Sequence, residues 1–412
     1  MSAVPNPELL NAIESLNYRA TIGDVASVSG LNINLAEQGL LVLAAQAGGH
    51  LQVAESGDVI YQFPKNFRSI LRDKDARLRW QERWQTIWRI LFYLIRISFG
   101  IVLVLLILAS FLAIIAITIA ASSSRDDNNG GDFNMPTVWF GPDFFWIFTP
   151  DYDQRRPKEK RELNFLESIY SFLFGDGNPN ADLEDRRWKT IGAVIRTNQG
   201  AVIAEQIAPY LDEVGTQSEQ EYEQYMLPVL AKFDGRPEVS PDGQLIYQFP
   251  SLQTTAVQEE RQWIPAFLRE SMYQFSKASS GQVTLAIGLG VTLLFLAIVL
   301  TAMVGGGALK VLALLSLGYS TAFLTIPAIR YFWIKGRNQK ILDRNRDRES
   351  RANFLSRAGE AIQQKHAYDR GIAARHLIQD SDVINSSDRD LIEQDIERSD
   401  QIDAEWQRRL EG

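Results

Sequence analysis

The chain has 412 residues, enough for two or three domains, and with 46% apolar residues it can bury cores. Its net charge is −8 and its mean hydropathy is near zero, but that average hides two long runs without a single charge. Cysteine is absent, which excludes thiol nucleophiles, disulfides and cysteine-held zinc or iron–sulfur centres; the three histidines, His50, His366 and His376, lack metal-ligand spacing and read as solvated surface residues.

Residues 1–66 read as one unit. Glu8–Leu16, Thr21–Ser29 and Asn34–Ala45 have helical patterns, the second ending at Gly30 and the third stopped by Gly48 and Gly49. His50–Val53 and Val59–Phe63 alternate as two strands around Glu55-Ser56-Gly57-Asp58, a hairpin signal. Three helices and a hairpin in this order resemble a winged helix-turn-helix. The strand motif Ile60-Tyr61-Gln62-Phe63-Pro64 recurs at Ile246–Pro250, and Gly49, Val53 and Gly57 align with Gly235, Val239 and Gly243 at the same offset, so the chain is internally duplicated. Alternation turns Tyr61 and Phe63 to one face and Ile60 and Gln62 to the other, and one pair should pack on the helices.

Residues 67–96 form a basic arm. Trp80, Trp84 and Trp88 line one helix face at four-residue spacing beside Arg79, Arg83 and Arg89; they either anchor the arm at a membrane interface or pack on the domain. Residues 97–121 are a charge-free membrane segment, followed by a linker, 122–180. Within it an aromatic stretch, 138–148, carries Trp139 and Trp146, is too interrupted to span, and reads as a candidate re-entrant segment with interface anchors. Leu163–Phe174 is amphipathic. Asp176–Asp182 has the oxygen spacing of a calcium loop, but Ala181 stands where glycine is needed and Arg187 where a bidentate Glu belongs, so a Gly/Asn/Pro turn is expected.

The second unit, 181–256, repeats the order with helices expected at Trp188–Thr197, Ala201–Leu211 and Glu219–Phe233 and a hairpin about Pro241-Asp242-Gly243. A second arm, 257–282, leads to membrane segments 283–304 and 308–333; the latter carries only Lys310 and Arg330, near its ends, where long cationic side chains reach headgroups. A charged helical tail, 335–412, completes the chain. The fold class expected is therefore a mainly helical α+β membrane protein: two winged-helix-like domains, three apolar segments and the tail. No signal-peptide pattern is seen.

Arg and Lys flank the first segment on its N-terminal side and the third on its C-terminal side, which places both ends in the cytoplasm. Three full crossings cannot satisfy both, so the chain should return through 138–148 and leave both soluble units on one face. The alternative puts the first unit opposite the second.

A winged helix invites DNA binding, yet no Lys or Arg lies between Ala20 and Pro64, and the recognition-helix positions carry Glu37 in one copy and Glu219, Glu221 and Glu223 in the other. Acidic helices repel a phosphate backbone, so these glutamates are candidates for a protein-partner surface instead. No catalytic constellation, cofactor motif, metal site or charged transport path is legible.

The run Ser168–Asn180, then Arg187-Trp188-Lys189, Leu227–Leu230, Phe233–Val239 and Leu245–Gln253, resembles a family of uncharacterised cyanobacterial membrane proteins whose plant relatives are chloroplast proteins, some labelled iron–sulfur cluster biosynthesis members. The resemblance implies a cyanobacterial or plastid membrane, so the thylakoid or plasma membrane is expected, and the charge bias puts the soluble units on its cytoplasmic side. A cysteine-free chain cannot be a thiolate scaffold, so any iron–sulfur role would be indirect. The expected function is a non-enzymatic membrane-anchored scaffold or assembly factor, with membrane lipids and other membrane proteins as partners and no cofactor. The alternative is a membrane-tethered nucleic-acid-binding regulator.

Overall fold

The computed structural model describes residues 6–74, 76–123, 164–212, 214–215, 222–241, 243–257, 263–357 and, in the tail, 365, 368, 371, 373, 376–390, 392–394, 396 and 399. The chain is mainly helical with small sheets and divides into two compact units, one of residues 1–82, 180–271 and 341–412, the other of 83–179 and 272–340.

The first unit contains both copies of the duplication. The first copy runs α1 (Pro7–Ser15), β1 (Arg19–Thr21), α2 (Ile22–Ser29), α3 (Ile33–Ala47), β2 (His50–Ala54) and β3 (Val59–Gln62). Thr21 and Asp24 form a reciprocal capping box at the start of α2, with bonds of 2.8 and 3.1 Å, which is why the helix begins there. The second copy runs α7 (Leu183–Thr197), β4 (Ala201–Val202), α8 (Ala204–Ile207), α9 (Leu227–Phe233), β5 (Arg236–Val239) and β6 (Leu245–Gln248), and closes on a single turn, α10 (Pro250–Gln253). Their sheets share one strand order, β1-β3-β2 and β4-β6-β5.

Both first strands are absent from the sequence reading, because two or three residues are too few to show alternation. Ala201–Leu211, expected as one helix, is a strand, a single α-turn and a 3-10 turn at Ala208–Tyr210. The helix expected over Glu219–Phe233 is likewise shorter: a 3-10 turn at Gln224–Met226 leads into α9, with Pro228 in the first turn where a missing N–H costs nothing.

The repeated pentapeptide has a shared geometric role. Asn17 and Tyr18 adopt φ of 56° and 66°, and Gln199 and Gly200 adopt 58° and 77°, so each copy turns left-handed before its first strand. The turn presents Tyr18 O to Phe63 N at 2.8 Å and Gly200 O to Phe249 N at 2.7 Å. Both phenylalanines are buried, and each ring fills the space a side chain would need at Gly49 or Gly235: an added Cβ would lie 2.7 Å from Phe63 and 2.3 Å from Phe249. Tyr61 and Phe63 pack inward as the alternation requires; Ile60 is also buried, in a smaller cluster with Ala54, Ala256, Ile378 and Val383.

The copies share one core, with Leu9, Ile13, Leu40 and Leu43 of the first joined to Ile191, Ile195, Phe233 and Phe249 of the second. Gly192 allows α7 to approach α2 so closely that a Cβ there would sit 2.9 Å from Ser27 Cα.

The tail also departs from expectation. Rather than being helical throughout 335–412, it carries β8 (His376–Leu377), parallel to β7 (Thr254–Thr255), and β9 (Val383–Ser386), antiparallel to β2. Leu51 N donates to Ser387 Oγ and Leu51 O accepts from Ser387 N, both at 2.9 Å. The equivalent position in the second copy is Pro237, which has no N–H to offer, so the edge of β5 cannot take a strand in the same way.

The second unit is built from α6 (Phe165–Phe174), α11 (Ser280–Met303) and parts of two long helices, α5 (Ala76–Ser123) and α12 (Ala308–Ser356). The arm at 67–96 is thus continuous with segment 97–121 beyond α4 (Phe67–Lys74), and segment 308–333 is continuous with the start of the tail. The second arm is different: residues 263–279 contain no helix. Among the described residues three helices are long and apolar enough to cross a membrane, within Thr86–Ser122, Ser280–Met303 and Ala308–Leu355. Ser110 and Ser316 hydroxyls meet at 3.0 Å in their interior, Tyr319 Oη donates to Phe99 O at 2.7 Å, and Gly290 admits Phe323.

Candidate functional site

The first unit presents an exposed outer face on α3. Leu40, Leu43 and Ala47 turn into the core, which leaves Leu35, Leu41 and Val42 with 58, 45 and 38% of their surface exposed around Glu37, Gln38 and Ala45. Three aliphatic side chains on one exposed helix face, with no cation nearby in sequence, have the composition of a protein contact. Glu37 thus lies on an open surface. It also acts on its own fold: burial first, and then the Glu37 charge, push the Tyr61 hydroxyl above its ordinary value.

Glu223 occupies the same place in the second copy, opposite Tyr247 as Glu37 is opposite Tyr61, but it is not open. Its side chain is 13% exposed, accepts from Tyr247 Oη at 2.8 Å, and pairs with Lys365 of the tail at 2.6 Å. Lys365 also reaches Glu205 at 3.1 Å. Burial, followed by the hydrogen bond to Glu223, pushes Tyr247 strongly up. Glu223 is therefore spent on holding the tail and does not belong to a free partner surface. Glu219 and Glu221 lie outside the described residues.

Two ionic clusters escaped the sequence reading. Asp24 is fully buried between the copies, its Oδ1 2.6 Å from Arg196 Nη1, its Oδ2 accepting from Thr21 N at 2.8 Å and Ala256 N at 3.0 Å. Arg196 also donates to Ser27 Oγ at 3.0 Å and Thr255 Oγ1 at 2.9 Å. Its signal was an arginine directly after the buried Val194 and Ile195. The second cluster centres on Arg348, the largest fully buried side chain, which joins Asp212 and lies 2.9 Å from Glu270. Arg187 pairs with Asp212, and Arg344 with Glu270 at 2.6 Å. Burial alone would raise both carboxyls, but Arg187 and Arg348 outweigh it at Asp212, and Arg344 and Arg348 at Glu270, so both are held below their usual values. Arginine does not deprotonate near neutrality, so these pairs fasten structure and do not shuttle protons.

In the second unit the run from Ser168 that carries the sequence resemblance becomes a polar hub. Asp176 accepts from Ser171 Oγ at 2.7 Å and Lys277 N at 2.8 Å and lies 3.9 Å from Arg96; Asn178 Oδ1 accepts from Tyr273 Oη at 2.7 Å. The oxygens that suggested a calcium loop are thus occupied by protein donors. Arg330 turns inward too, donating to Ser171 O at 3.1 Å and to Phe275 O, rather than only reaching outward from the helix end. Trp80, Trp84 and Trp88 are all exposed, and the last two rings meet edge-on at 6.3 Å; Trp139 and Trp146 lie outside the described residues, as does the whole stretch 138–148. Among the described residues no three His, Asp or Glu side chains come together as metal ligands would.

Fold and surfaces together define a mainly helical α+β protein with three helices that could cross a membrane and one ion-paired compact unit. The chain is 36% identical, over an alignment of 436 residues, to an uncharacterised chloroplastic protein of Arabidopsis thaliana, covering 97% of this chain and 81% of that protein, and it belongs to that protein's family. No family model and no solved structure matches the chain. The match supports a plant and chloroplast-related family and says nothing of iron–sulfur chemistry.

Proposed function

We propose that the chain is a non-enzymatic, membrane-anchored scaffold or assembly factor. Two winged-helix-like units, fused through one core, bind partner proteins at the cytoplasmic or stromal face of a thylakoid or plasma membrane. The observation that carries this reading is the outer face of α3, with Leu35, Leu41 and Val42 exposed around Glu37 and no Lys or Arg between Ala20 and Pro64. Such a face suits a protein and repels a phosphate backbone.

The shared core of the two copies supports their lying on one face. So does α6: it packs on α5 at Gly100, whereas α5 ends at Ser123, about 35 Å further along at 1.5 Å per residue. α6 thus begins beside the part of α5 that enters its apolar stretch, in keeping with cytoplasmic positions for both ends.

A photoreactive residue in place of Leu41, activated in native membranes, should yield a defined protein adduct that Glu37→Lys abolishes. Salt-sensitive retention of DNA by the full chain, with no protein adduct, would favour the nucleic-acid regulator instead. Single cysteines at Glu37 and Leu227 should react with an impermeant reagent from the same side; labelling from opposite sides refutes the topology.

A further inference from the structure

The second unit is basic in an acidic chain. Over residues 83–123, 164–179 and 272–340 the sequence carries nine Lys and Arg against two carboxylates, Glu167 and Asp176, whereas the whole chain has a net charge of −8. All of those cations except Lys310 lie at one end, where α5 enters its apolar stretch and α12 leaves it. The contacts of Ser110 with Ser316 and Phe99 with Tyr319 make the two helices antiparallel, which brings Arg89 near the level of Arg337.

The cations at this end divide into two sets. Arg96 and Arg330 face inward: Arg96 sits 5.5 Å from the Tyr170 ring centre and 3.9 Å from Asp176, and Arg330 lies 4.4 Å from the Phe275 ring centre. The half-buried Asp176 is committed to that inner set. Arg89, Lys335, Arg337 and Lys340 are exposed, interleaved with the exposed rings of Trp88, Phe92, Phe332 and Trp333. Arg337 lies 5.1 Å from the ring centres of both Tyr273 and Trp333, so its guanidinium is pre-positioned at the surface.

We propose that this end of the second unit is a binding surface for anionic glycerolipid headgroups. Arg89, Lys335, Arg337 and Lys340 meet the phosphate or sulfonate, and the indole and phenyl rings seat beside them at the glycerol level. An acidic protein would satisfy the cations, but a band of exposed aromatic rings next to a charge-free helix matches the polarity gradient of a bilayer edge. The inference rests on the membrane-spanning reading above and adds a headgroup preference to it.

The test uses the full chain in nanodiscs of equal phosphatidylcholine and phosphatidylglycerol, with native mass spectrometry counting the lipids kept on release. Each exposed cation near an anionic surface is worth roughly fivefold, so phosphatidylglycerol should be retained at least tenfold over phosphatidylcholine. Replacing all four, Arg89→Gln, Lys335→Gln, Arg337→Gln and Lys340→Gln, should bring the ratio close to one. Arg89→Lys with Arg337→Lys should keep the preference, which separates charge from folding. Equal retention by the wild-type chain, or an undiminished preference in the Gln variant, overturns the proposal. Release of the chain from vesicles by alkaline carbonate overturns the spanning reading and this inference together, whereas carbonate-resistant chain with equal lipid retention overturns only the headgroup preference.

Discussion

Asp24→Ala tests whether one buried ion pair holds the two copies together. The substitution removes the carboxylate partner of Arg196, whose side chain is 6% exposed and which also donates to the Ser27 and Thr255 hydroxyls. It also takes the acceptor from Thr21 N and Ala256 N. Breaking a buried pair from one side costs about 3–5 kcal/mol, because the remaining charge is desolvated without compensation. For a unit of this size each kcal/mol lowers the melting temperature by about 2–4 °C, so a drop of roughly 6–20 °C is expected. Removing both charges, Asp24→Asn with Arg196→Met, should recover most of the loss, since a neutral pair leaves no buried charge. Thermal unfolding of the full chain in detergent, followed by tryptophan fluorescence with hydrogen exchange of α2 and α7, reads both effects. A melting temperature within about 2 °C of wild type for Asp24→Ala would refute the reasoning.

Acid should loosen the second copy from the end of α12: Asp212 and Glu270 are held below their usual values, so their stabilising contribution is complete above the ordinary carboxylate range and is lost as pH falls below about 4. Relative to the intrinsic exchange rate at each pH, the protection of residues 263–271 should therefore fall between pH 6 and pH 3, and unchanged protection would contradict the pairing. Gly49→Ala and Gly235→Ala should each cost about 1–3 kcal/mol by driving a methyl group into the Phe63 or Phe249 ring; trimming the ring, as in Gly49→Ala with Phe63→Leu, should restore part of it in denaturant melts. Leu51→Pro removes the N–H that bonds Ser387 and should free β9, seen as faster tryptic cleavage at Arg389, with little change in the exchange of α7.

The sequence by itself determined the elements with strong local signals. Periodicity and capping residues placed α1, α2 and α3, the repeated Ile-Tyr-Gln-Phe-Pro revealed the duplication, and long charge-free runs marked the apolar stretches of α5, α11 and α12. The helix and apolar-run signals are each written in one continuous stretch of chain, and the repeat is read by aligning two short strings. The tertiary structure decided what depends on residues distant in the chain. β1 and β4 exist because β3 and β6 offer edges to pair with. Glu223 looked like open acidic surface until Lys365 covered it, while Glu37, with the same chemistry, stayed exposed. Arg196 and Arg348 are not singled out by the sequence; they are buried because they pair with Asp24 and Asp212, which lie 172 and 136 positions away. Burial and pairing are properties of packed neighbours, and no local pattern records which neighbours the chain will bring.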